Sequence, residues 1–257
     1  MHSKNIAIFL CDLTGVMAKP WVEAGYHAIL VDPQHPAGVN TEGLITRVGH
    51  IIDHPETWLV LRDAISSGCV RFVAGFPPCT DVAVSGTPHF AAKAAKDKFF
   101  QAKAALIAEQ CRVIGQLSGA PWFFENPVSV FSSIFGKPNH TFHPYHFTEL
   151  NIDDNYTKNT CLWSGGGFVM PERSIDDRVL ASIEHCKEWL GKFMPKPKAM
   201  ALMPMHAAEL KWLPDDRIHK APPGPDRANF RSTTPEGFAR AVFATNHRHS
   251  EKMVKAA

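Results

Sequence analysis

The sequence predicts an α/β protein built around a doubly wound, mostly parallel sheet. Apolar runs of strand length alternate with helix-type segments along the first half of the chain, as in a series of βαβ units. These runs are continuous rather than alternating in polarity, which is typical of strands buried on both faces. As a third observation, acidic or nucleophilic residues come at the ends of the predicted strands: Asp12, Asp32, Cys79 and Glu125.

The predicted elements follow one another between residues 5 and 127. NIAIFLCDL predicts the first strand, and KPWVEAGY predicts a short helix that ends at Gly25. HAILVD and GCVRFVAGF predict the second and third strands. The Ala/Lys-rich residues 89–119 predict one long amphipathic helix, stopped by Gly119. PWFFENP predicts a fourth strand, with Glu125 and Asn126 just past its end.

Residues 167–230 differ from the rest of the chain in composition and in hydrophobic periodicity. Prolines are frequent and hydrophobic periodicity weakens there, so we predict a small irregular lobe. It separates an α/β domain, residues 1–166, from a C-terminal return to that domain, residues 231–257. The return contains the helix-type segment TPEGFARAVFATNHRHSEKM.

Composition indicates a globular protein without a membrane anchor. The 257 residues are 45% apolar and 20% charged, which is enough for one substantial core. No apolar run approaches the roughly 20 residues of a membrane helix, and the apolar part of the N-terminus is too short for a secretory signal. We therefore expect a cytoplasmic protein with no membrane partner, and we infer no obligate protein partner.

Positive charge is concentrated in one segment. The net charge of the whole chain is only +2, which excludes the class of strongly basic proteins that coat nucleic acids. Residues 187–231 nevertheless carry nine Lys/Arg against five Asp/Glu. This surplus fits a basic face toward phosphates, and it fits a solvated surface equally well.

Cys79 differs from the other cysteines by its context. No Cys-x-x-Cys pair occurs, so the cysteines are interpreted as free thiols in a reducing compartment. Cys79 follows two prolines at the end of a predicted strand. Proline fixes φ and has no N–H for a neighbouring strand, so this segment would hold the sulfur in one position. Ligands of doubly wound sheets bind at the same carboxyl edge.

Cys79 and Glu125 form a catalytic pair if they face one pocket. A thiolate adds to an electron-poor ring carbon, but a neutral pyrimidine accepts it poorly. A carboxylic acid that donates to the ring nitrogen draws charge away from the carbon under attack. The pair therefore predicts covalent catalysis on a pyrimidine, with Asn126 holding the loop. Taken singly, an inert buried thiol and an ion-paired carboxylate are the alternatives.

These segments resemble the cytosine-C5 DNA methyltransferases, most of all the short members that phages carry. GFPPCTDVAVSG and FENPVSV are similar to the family's Pro-Cys and Glu-Asn-Val elements, and the interval of 46 residues between Cys79 and Glu125 is close to the usual one. FLCDLTGVMAKPWVEAGYHAILVD resembles the N-terminal cofactor region. RSTTPEGFARAVF resembles the late Arg-x-x-Thr-x-x-Glu-x-Ala-Arg element. The resemblance spans most of the chain in the family's order.

The resemblance implies a Rossmann-like fold of the S-adenosylmethionine-dependent methyltransferase type and a DNA substrate. It implies that Cys79 attacks carbon 6 of cytosine, that Glu125 donates to N3, and that carbon 5 receives the methyl group. Residues 167–230 would form the target-recognition lobe. The cofactor-binding residues that it implies are Asp12, Leu13, Gly15, Asp32 for the ribose, Asp53 or less favourably Asp63 for the adenine, and Pro77. The implied DNA-binding residues are Pro78, Ser85, Lys158 and Arg231, the last also interpreted as a brace of the lobe.

Four departures from the family's pattern leave the one-carbon donor open. GVMAKPW stands in place of a Gly-Gly turn, and Pro127 replaces the valine after Glu-Asn. Lys158 is the only cation where the family has Gln-x-Arg-x-Arg, and the last family element is reduced to Thr245-Asn246. The alternatives are a related cytosine-C5 transferase with a folate-derived donor, and a non-catalytic DNA-binding relative. If a phage encodes the chain, we expect it in the host cytoplasm.

Three histidines recur at intervals of three residues in NHTFHPYHF, namely His140, His143 and His146. Such spacing suggests metal ligands. However, no cysteine or acid completes a usual zinc set nearby, and a proline interrupts any helix that would align the three side chains. We interpret the segment as a loop and predict no metal site.

Overall fold

A computed structural model of the chain describes residues 5–220, 224 and 227–256, except for the side chains of 228 and 248–256. Residues 221–223 and 225–226 of the predicted lobe lie outside the described residues. The chain divides into two compact units. Unit 1 comprises Met1–Thr141, Thr160–Met170 and Val242–Ala257, and unit 2 comprises Phe142–Asn159 and Pro171–Ala241. Unit 2 therefore has other boundaries than the lobe predicted over residues 167–230.

Eight strands form one sheet within the described ranges. In chain order they are β1 Ile6–Leu10, β2 His27–Val31, β3 Val39–Glu42, β4 Ile45–Val48, β5 Val70–Gly75, β6 Trp122–Pro127, β7 His140–Phe142 and β8 Thr160–Gly165. The order across the sheet is β3-β4-β2-β1-β5-β6-β8-β7. The α-helices are α1 Lys19–Glu23, α2 Pro55–Ser66, α3 Phe90–Lys96, α4 Phe100–Ser118, α5 Phe131–Ile134, α6 Asp177–Leu190, α7 Lys196–Leu202, α8 Arg227–Ser232 and α9 Glu236–Ala256.

The parallel strands reverse their direction of progress across the sheet next to β1. The pairs β1–β2, β2–β4, β1–β5 and β5–β6 are parallel. The chain thus proceeds from β1 through β2 to β4, returns to the other side of β1 as β5, and continues to β6. A crevice at such a switch point is where open α/β sheets bind ligands. The α/β class and the mostly parallel sheet are confirmed, and the strand order is compatible with a Rossmann-like fold.

Helices cover both faces of the sheet in unit 1. On one face, Leu61 of α2 lies in the same buried cluster as Ile8 of β1 and several residues of α4. On the other face, Trp21 of α1 stacks on Phe72 of β5 with ring centroids 4.5 Å apart, and it meets Phe243 of α9 edge to face at 5.0 Å. Because both faces are covered, the strands need apolar residues at every position. Among the helices described here, none is both long and apolar enough to cross a lipid bilayer.

Two antiparallel pairings add detail that the sequence analysis did not predict. β3 and β4 form a hairpin around Gly43, which has a φ of +59°; a glycine between two alternating segments is a hairpin signal. β8 runs antiparallel to β6 and pairs with it as far as Pro127. Glu125 and Asn126 therefore lie within β6, and the prediction that they follow the strand is wrong. The additional partner strand extends β6 beyond its pairing with β5, which ends at Phe124.

The segment predicted as one helix over residues 89–119 consists of two helices, α3 and α4. The chain is extended at Asp97, with φ −148° and ψ 102°. Asp97 Oδ1 accepts the N–H of Phe99 at 2.9 Å, and Oδ2 accepts from Lys103 at 2.6 Å. An aspartate that bonds the backbone locally competes with helix formation. The predicted end at Gly119 is confirmed, with a φ of +67°.

Unit 2 has a small apolar core of its own around α6. The side chain of Asp176 accepts the N–H of Arg178 and caps the helix, which ends at Gly191 with a φ of +67°. Irregular structure is therefore the wrong prediction for residues 177–190. The sequence contains the capping aspartate and the helical spacing of apolar residues. The frequent prolines on either side of this segment led to the prediction of irregular structure instead. The buried core residues are Val179, Ile183, Cys186, Ala199, Met203, Leu210 and Leu213.

Candidate active site

The loop after β1 is held by its own aspartate. Asp12 is only 3% exposed, and its Oδ1 accepts the backbone N–H groups of Thr14 at 3.0 Å and Gly15 at 2.8 Å. Cys11, directly before it, has a φ of +56°, the one positive value at a described non-glycine residue. The turn is therefore fixed locally, by residues two and three positions away from the carboxylate.

The second carboxylate oxygen of Asp12 is a buried acceptor at the switch point. Asp12 Oδ2 has no hydrogen-bond partner among the described residues. Burial raises the pKa of this carboxyl group, while the hydrogen bonds from Gly15 and Thr14 lower it. A buried acceptor costs free energy until a donor satisfies it. Leu13 is half-buried on the same turn.

Gly15 lets this loop approach β2 closely. Its φ is +68°, and a Cβ added to it would lie 3.0 Å from Cδ2 of Leu30. Both the left-handed backbone and the tight contact therefore favour glycine.

The end of β2 carries a second buried acid. Asp32 is 7% exposed, and its Oδ1 accepts the N–H of Gln34 at 2.8 Å. The neighbouring His35 is buried, and its Nε2 donates to the carbonyl oxygen of Asp12 at 3.0 Å. This contact joins the loops that follow β1 and β2. The sequence analysis missed His35, because no local pattern distinguishes a histidine that acts across 23 positions.

The Cys79 loop is held by β6. Asn126 is buried at the end of β6, and its Nδ2 donates to the carbonyl oxygen of Pro77 at 2.9 Å. Pro77 is buried, Pro78 is exposed and Cys79 is half-buried. The thiol therefore lies two residues from a fixed carbonyl and stays partly accessible. Asn126 thus contacts the loop that it was predicted to hold.

A second set of contacts ties the chain after Cys79 to the chain after β6. Ala83 and Ser129 form an antiparallel bridge, and the N–H of Val84 donates to the carbonyl oxygen of Val128 at 3.0 Å. The carbonyl oxygen of Cys79 accepts the N–H of Ala83 at 2.9 Å. The loop is therefore fixed on both sides of the cysteine.

Glu125 lies at the carboxyl edge of the sheet. Pairing of β6 with β5 ends at Phe124, so Glu125 is one residue beyond that pair, and it is half-buried. Burial raises the pKa of the Cys161 thiol on β8, and the charge of Glu125 raises it further. Through β6, the structure brings the strand of Glu125 together with the loop of Cys79.

Lys93 of α3 also holds the Cys79 loop. Its Nζ donates to the carbonyl oxygen of Thr80 at 2.8 Å and to Oδ1 of Asp81 at 2.6 Å. These two residues directly follow Cys79 in the chain. The sequence analysis missed Lys93, which is one of several lysines in an Ala/Lys-rich stretch and has no distinguishing local signal.

The other predicted residues take no part in these hydrogen bonds. Asp53 is exposed in the turn before α2, and Ser85 is exposed in the short 3₁₀ helix Val84–His89. Lys158 is buried in unit 2, and Arg231 is half-buried there on α8. Their contacts with cofactor and DNA stay predictions.

A groove elsewhere on the sheet of unit 1 forms a cavity among the described residues. Its volume is about 1030 Å³, and it lies between α4 and the aromatic side chains of Trp122 and Trp163. At its border, Glu109 and Arg112 pair with each other at 2.6 Å. No cysteine or histidine lines it. We therefore place the candidate site at the carboxyl edge of the sheet, because the predicted catalytic thiol and carboxyl group lie there and do not line this groove.

Among the residues that the structure describes, two groups of side chains offer the atoms that a metal ion needs, and neither includes a predicted site residue. They are His50, His54 and Glu56 in unit 1, and His185, His206 and Glu209 in unit 2. Of the three histidines weighed in the sequence, His140 begins strand β7, where a loop was the wrong prediction. The backbone N–H of His143 donates to Nδ1 of His146 at 3.3 Å and caps a 3₁₀ turn.

The carboxyl edge of the sheet thus combines a half-buried thiol, a carboxyl group on the strand that holds the thiol's loop, and a buried acid at the switch point. No protein-family model and no curated protein matches the sequence. The interpretation of this edge therefore rests on its own geometry and chemistry.

Proposed function

We propose that the chain is a DNA cytosine-C5 methyltransferase in which Cys79 is the nucleophile and Glu125 the proton donor. The observation that carries the proposal is the hydrogen bond from Asn126 to the carbonyl oxygen of Pro77. It ties the strand of the carboxyl group to the loop of the thiol, as a reaction of both groups on one base requires. The resemblance of the two segments to the cytosine-C5 family supports the same roles.

The two groups complement each other on a cytosine ring. The sulfur of Cys79 bonds to carbon 6 while Glu125 gives a proton to N3, so negative charge does not accumulate on the ring. Carbon 5 is then nucleophilic and would take a methyl group from a bound sulfonium donor, whose sulfur would keep the electron pair of the broken S–CH3 bond. A base removes the proton from carbon 5, the bond between sulfur and carbon 6 breaks, and N3 returns its proton to Glu125. The products are 5-methylcytosine and the regenerated thiolate.

The residues at the switch point fit S-adenosylmethionine, which supplies an electrophilic methyl group when bound. Asp12 offers a buried acceptor oxygen that no described residue satisfies. Asp32 ends β2, the strand whose terminal acid holds ribose hydroxyls in sheets of this kind. Gly15 keeps the loop close to β2. We therefore extend the proposal to a fold of the S-adenosylmethionine-dependent methyltransferase type.

The resemblance to the cytosine-C5 family supports DNA as the substrate, and a cytosine in a duplex must leave the base stack to reach a thiol. Pro78 and Ser85, on either side of Cys79 in the chain, are exposed and are the residues that we assign to DNA contacts there. The surplus of lysine and arginine between residues 187 and 231 supports phosphate contacts. We assign the half-buried Arg231 to the same substrate; Lys158 is buried, so its assignment to DNA rests on the resemblance alone.

Transfer of a labelled methyl group tests the proposal. The protein is incubated with labelled S-adenosylmethionine and duplex DNA, beside Cys79→Ala and Glu125→Gln. We expect transfer to fall by roughly 10⁴-fold in Cys79→Ala and by roughly 10²-fold or more in Glu125→Gln. Cys69→Ser is the matched control, since Cys69 is a buried thiol whose sulfur donates to the carbonyl oxygen of Ser67, a bond that serine retains.

DNA that contains 5-fluorocytosine separates the alternatives, because fluorine at carbon 5 blocks the final elimination and traps the adduct. A covalent complex that requires S-adenosylmethionine and Cys79 supports the proposal. A complex that forms only with a folate-derived donor retains the Cys79 chemistry and replaces the methyl donor. DNA binding without transfer or complex would contradict the catalytic proposal and leave a DNA-binding protein.

A further inference from the structure

A cluster of side chains with metal-ligand atoms lies on unit 2 and includes none of the residues assigned above. His185 belongs to α6, and His206 ends the short 3₁₀ helix Pro204–His206. Together with Glu209, each offers one ligand atom, and the three atoms lie within 4.8 Å of one another. The two histidines are half-buried, and Glu209 is exposed.

The two imidazole rings bring one nitrogen each close together, in planes that cross. His185 Nε2 and His206 Nδ1 lie 3.0 Å apart, and the ring planes cross at 47°. A lone pair of imidazole lies in the plane of its ring, so crossing planes allow two lone pairs to meet at one point. Two Zn–N bonds of 2.0–2.1 Å at a tetrahedral angle separate their nitrogens by about 3.3 Å. The observed separation requires only a small adjustment.

The other cluster found among the described residues lacks this geometry and serves as a comparison. The rings of His50 and His54 are stacked, with centroids 3.8 Å apart and planes only 12° from parallel. Nearly parallel planes do not meet close to both nitrogens, so one ion cannot lie in both. In addition, His54 Nδ1 accepts the N–H of Glu56 as the cap of α2.

The ligand-bearing segments of unit 2 are held in place by their neighbours. Ser182, one turn before His185 on α6, is buried, and its hydroxyl donates to the carbonyl oxygen of Glu209 at 2.6 Å. Leu210, the residue after Glu209, is fully buried in the core of unit 2. The backbone that carries the carboxylate is therefore fixed against α6, and preorganised ligands favour metal binding.

We propose that His185, His206 and Glu209 bind one divalent transition-metal ion, with Zn²⁺ as the preferred ion. Two imidazole nitrogens and one carboxylate oxygen form a donor set that zinc uses, and they leave a fourth tetrahedral position for water or another ligand. The ion would join α6 to the turn of residues 204–209. Without an ion, the contact between His185 and His206 is a hydrogen bond between their rings. The following experiment distinguishes a metal site from a hydrogen bond alone.

Zinc titration of the full chain, purified without a histidine tag and stripped of metal, tests the proposal. We expect about one Zn²⁺ per chain by isothermal titration calorimetry, and a blue tetrahedral spectrum when Co²⁺ replaces Zn²⁺. His206→Ala and Glu209→Gln should each weaken binding by about 10-fold or more. Glu209 is exposed, so the glutamine variant retains the fold and keeps the test meaningful. His50→Ala, in the stacked cluster, should leave the stoichiometry and affinity unchanged.

Tryptophan fluorescence gives a second readout of the same position. The Trp189 ring lies 4.6 Å from the His206 ring and 6.1 Å from the His185 ring, so bound Co²⁺ should quench it. Replacing Trp189 by phenylalanine should remove most of the quenching and leave binding intact. The proposal is overturned if no ion binds, if binding survives in His206→Ala, or if His50→Ala removes it.

Discussion

Two loops at the carboxyl edge of the sheet carry the proposed chemistry, and they are held in opposite ways. In the loop after β1, the carboxylate of Asp12 accepts bonds from Thr14 and Gly15, two and three positions along the chain. In the loop after β5, the carbonyl of Pro77 accepts its bond from Asn126, 49 positions away, and Lys93 of α3 holds the residues after the thiol.

The difference has a consequence for how substitutions act. A loop closed by bonds between residues close in sequence loses little conformational entropy when it forms, so it should form whenever β1 does. The Cys79 loop keeps its geometry only while β6 and α3 are in place. Damage to residues outside the loop should therefore impair the proposed nucleophile, whereas the Asp12 loop should respond mainly to changes within itself.

Among substitutions that act through the support of a loop, the largest expected effect is that of Asn126→Ala. The substitution leaves the carbonyl of Pro77 without its donor in a buried place, and we expect a loss of about 1–3 kcal/mol in the free energy of unfolding. Methyl transfer should fall by roughly 10²-fold, since a displacement of about 1 Å at a reacting group has that effect. Urea unfolding and the labelled-methyl assay measure the two changes.

Asn40→Ala is the matched control for that prediction. Asn40 is exposed, and its Nδ2 also donates to backbone carbonyls, those of Pro36 and Ala37, at 3.2 Å. It should cost less than about 0.5 kcal/mol. Equal losses in both variants would show that the long-range contact has no special role in holding the Cys79 loop.

Gly15→Ala tests the locally held loop. The alanine must adopt a φ of +68° and place a Cβ 3.0 Å from Leu30, so we expect a loss of about 2 kcal/mol in the free energy of unfolding. Gly43→Ala has a similar φ of +59° but open space around its Cβ, and it should cost about 1 kcal/mol. Thermal unfolding of both variants measures the difference. Identical costs would exclude the contact with Leu30 as a constraint on the loop.

A buried carboxyl group in unit 2 also makes a long-range contact, and its burial makes the stability of the protein depend on pH. Asp154 accepts the N–H of Gly237, 83 positions away, at 2.7 Å. The pKa of Asp154 is raised from 3.8 to about 6, mainly by burial; the Gly237 bond lowers it, and the charges of Glu236 and Asp153 contribute to the rise. Between these two pKa values the folded protein binds more protons than the unfolded chain, so its stability decreases as pH rises from about 4 to about 6.

Asp154→Asn removes this pH dependence and retains an acceptor for Gly237. We expect the variant to be more stable than the natural chain by about 1–2 kcal/mol at pH 8, and the gain should vanish below pH 4. Urea unfolding at several pH values measures it. A gain that is the same at pH 4 and pH 8 would contradict the raised pKa.

The smallest expected effect is that of Lys93→Met. Its ion pair with Asp81 is partly exposed, so the free energy of unfolding should change by less than about 1 kcal/mol. Methyl transfer should fall several-fold, because the residues after Cys79 lose one of their two supports. Lys103→Met, which breaks an exposed pair with Asp97, is the matched control. If the two variants transfer methyl groups at equal rates, Lys93 has no role in positioning the loop.

Features of the fold that depend on neighbouring residues were predictable. The apolar runs of β1, β2 and β5 indicated buried strands because both sheet faces are covered, and Gly119 indicated a helix end. The prediction of one helix over residues 89–119 was wrong because the local bonds of Asp97 outweigh the helical propensity around it.

The sequence alone determined the α/β class, the strand-end positions of Asp12, Asp32 and Cys79, and the local turn at Gly15. These depend on hydrophobic periodicity and on bonds between residues a few positions apart. Only the tertiary structure decided that β8 pairs with β6 and draws Glu125 into a strand, that Lys93 holds the residues after Cys79, and that His185 meets His206. Such contacts join residues that are distant along the chain, and no local pattern encodes a distance across the fold.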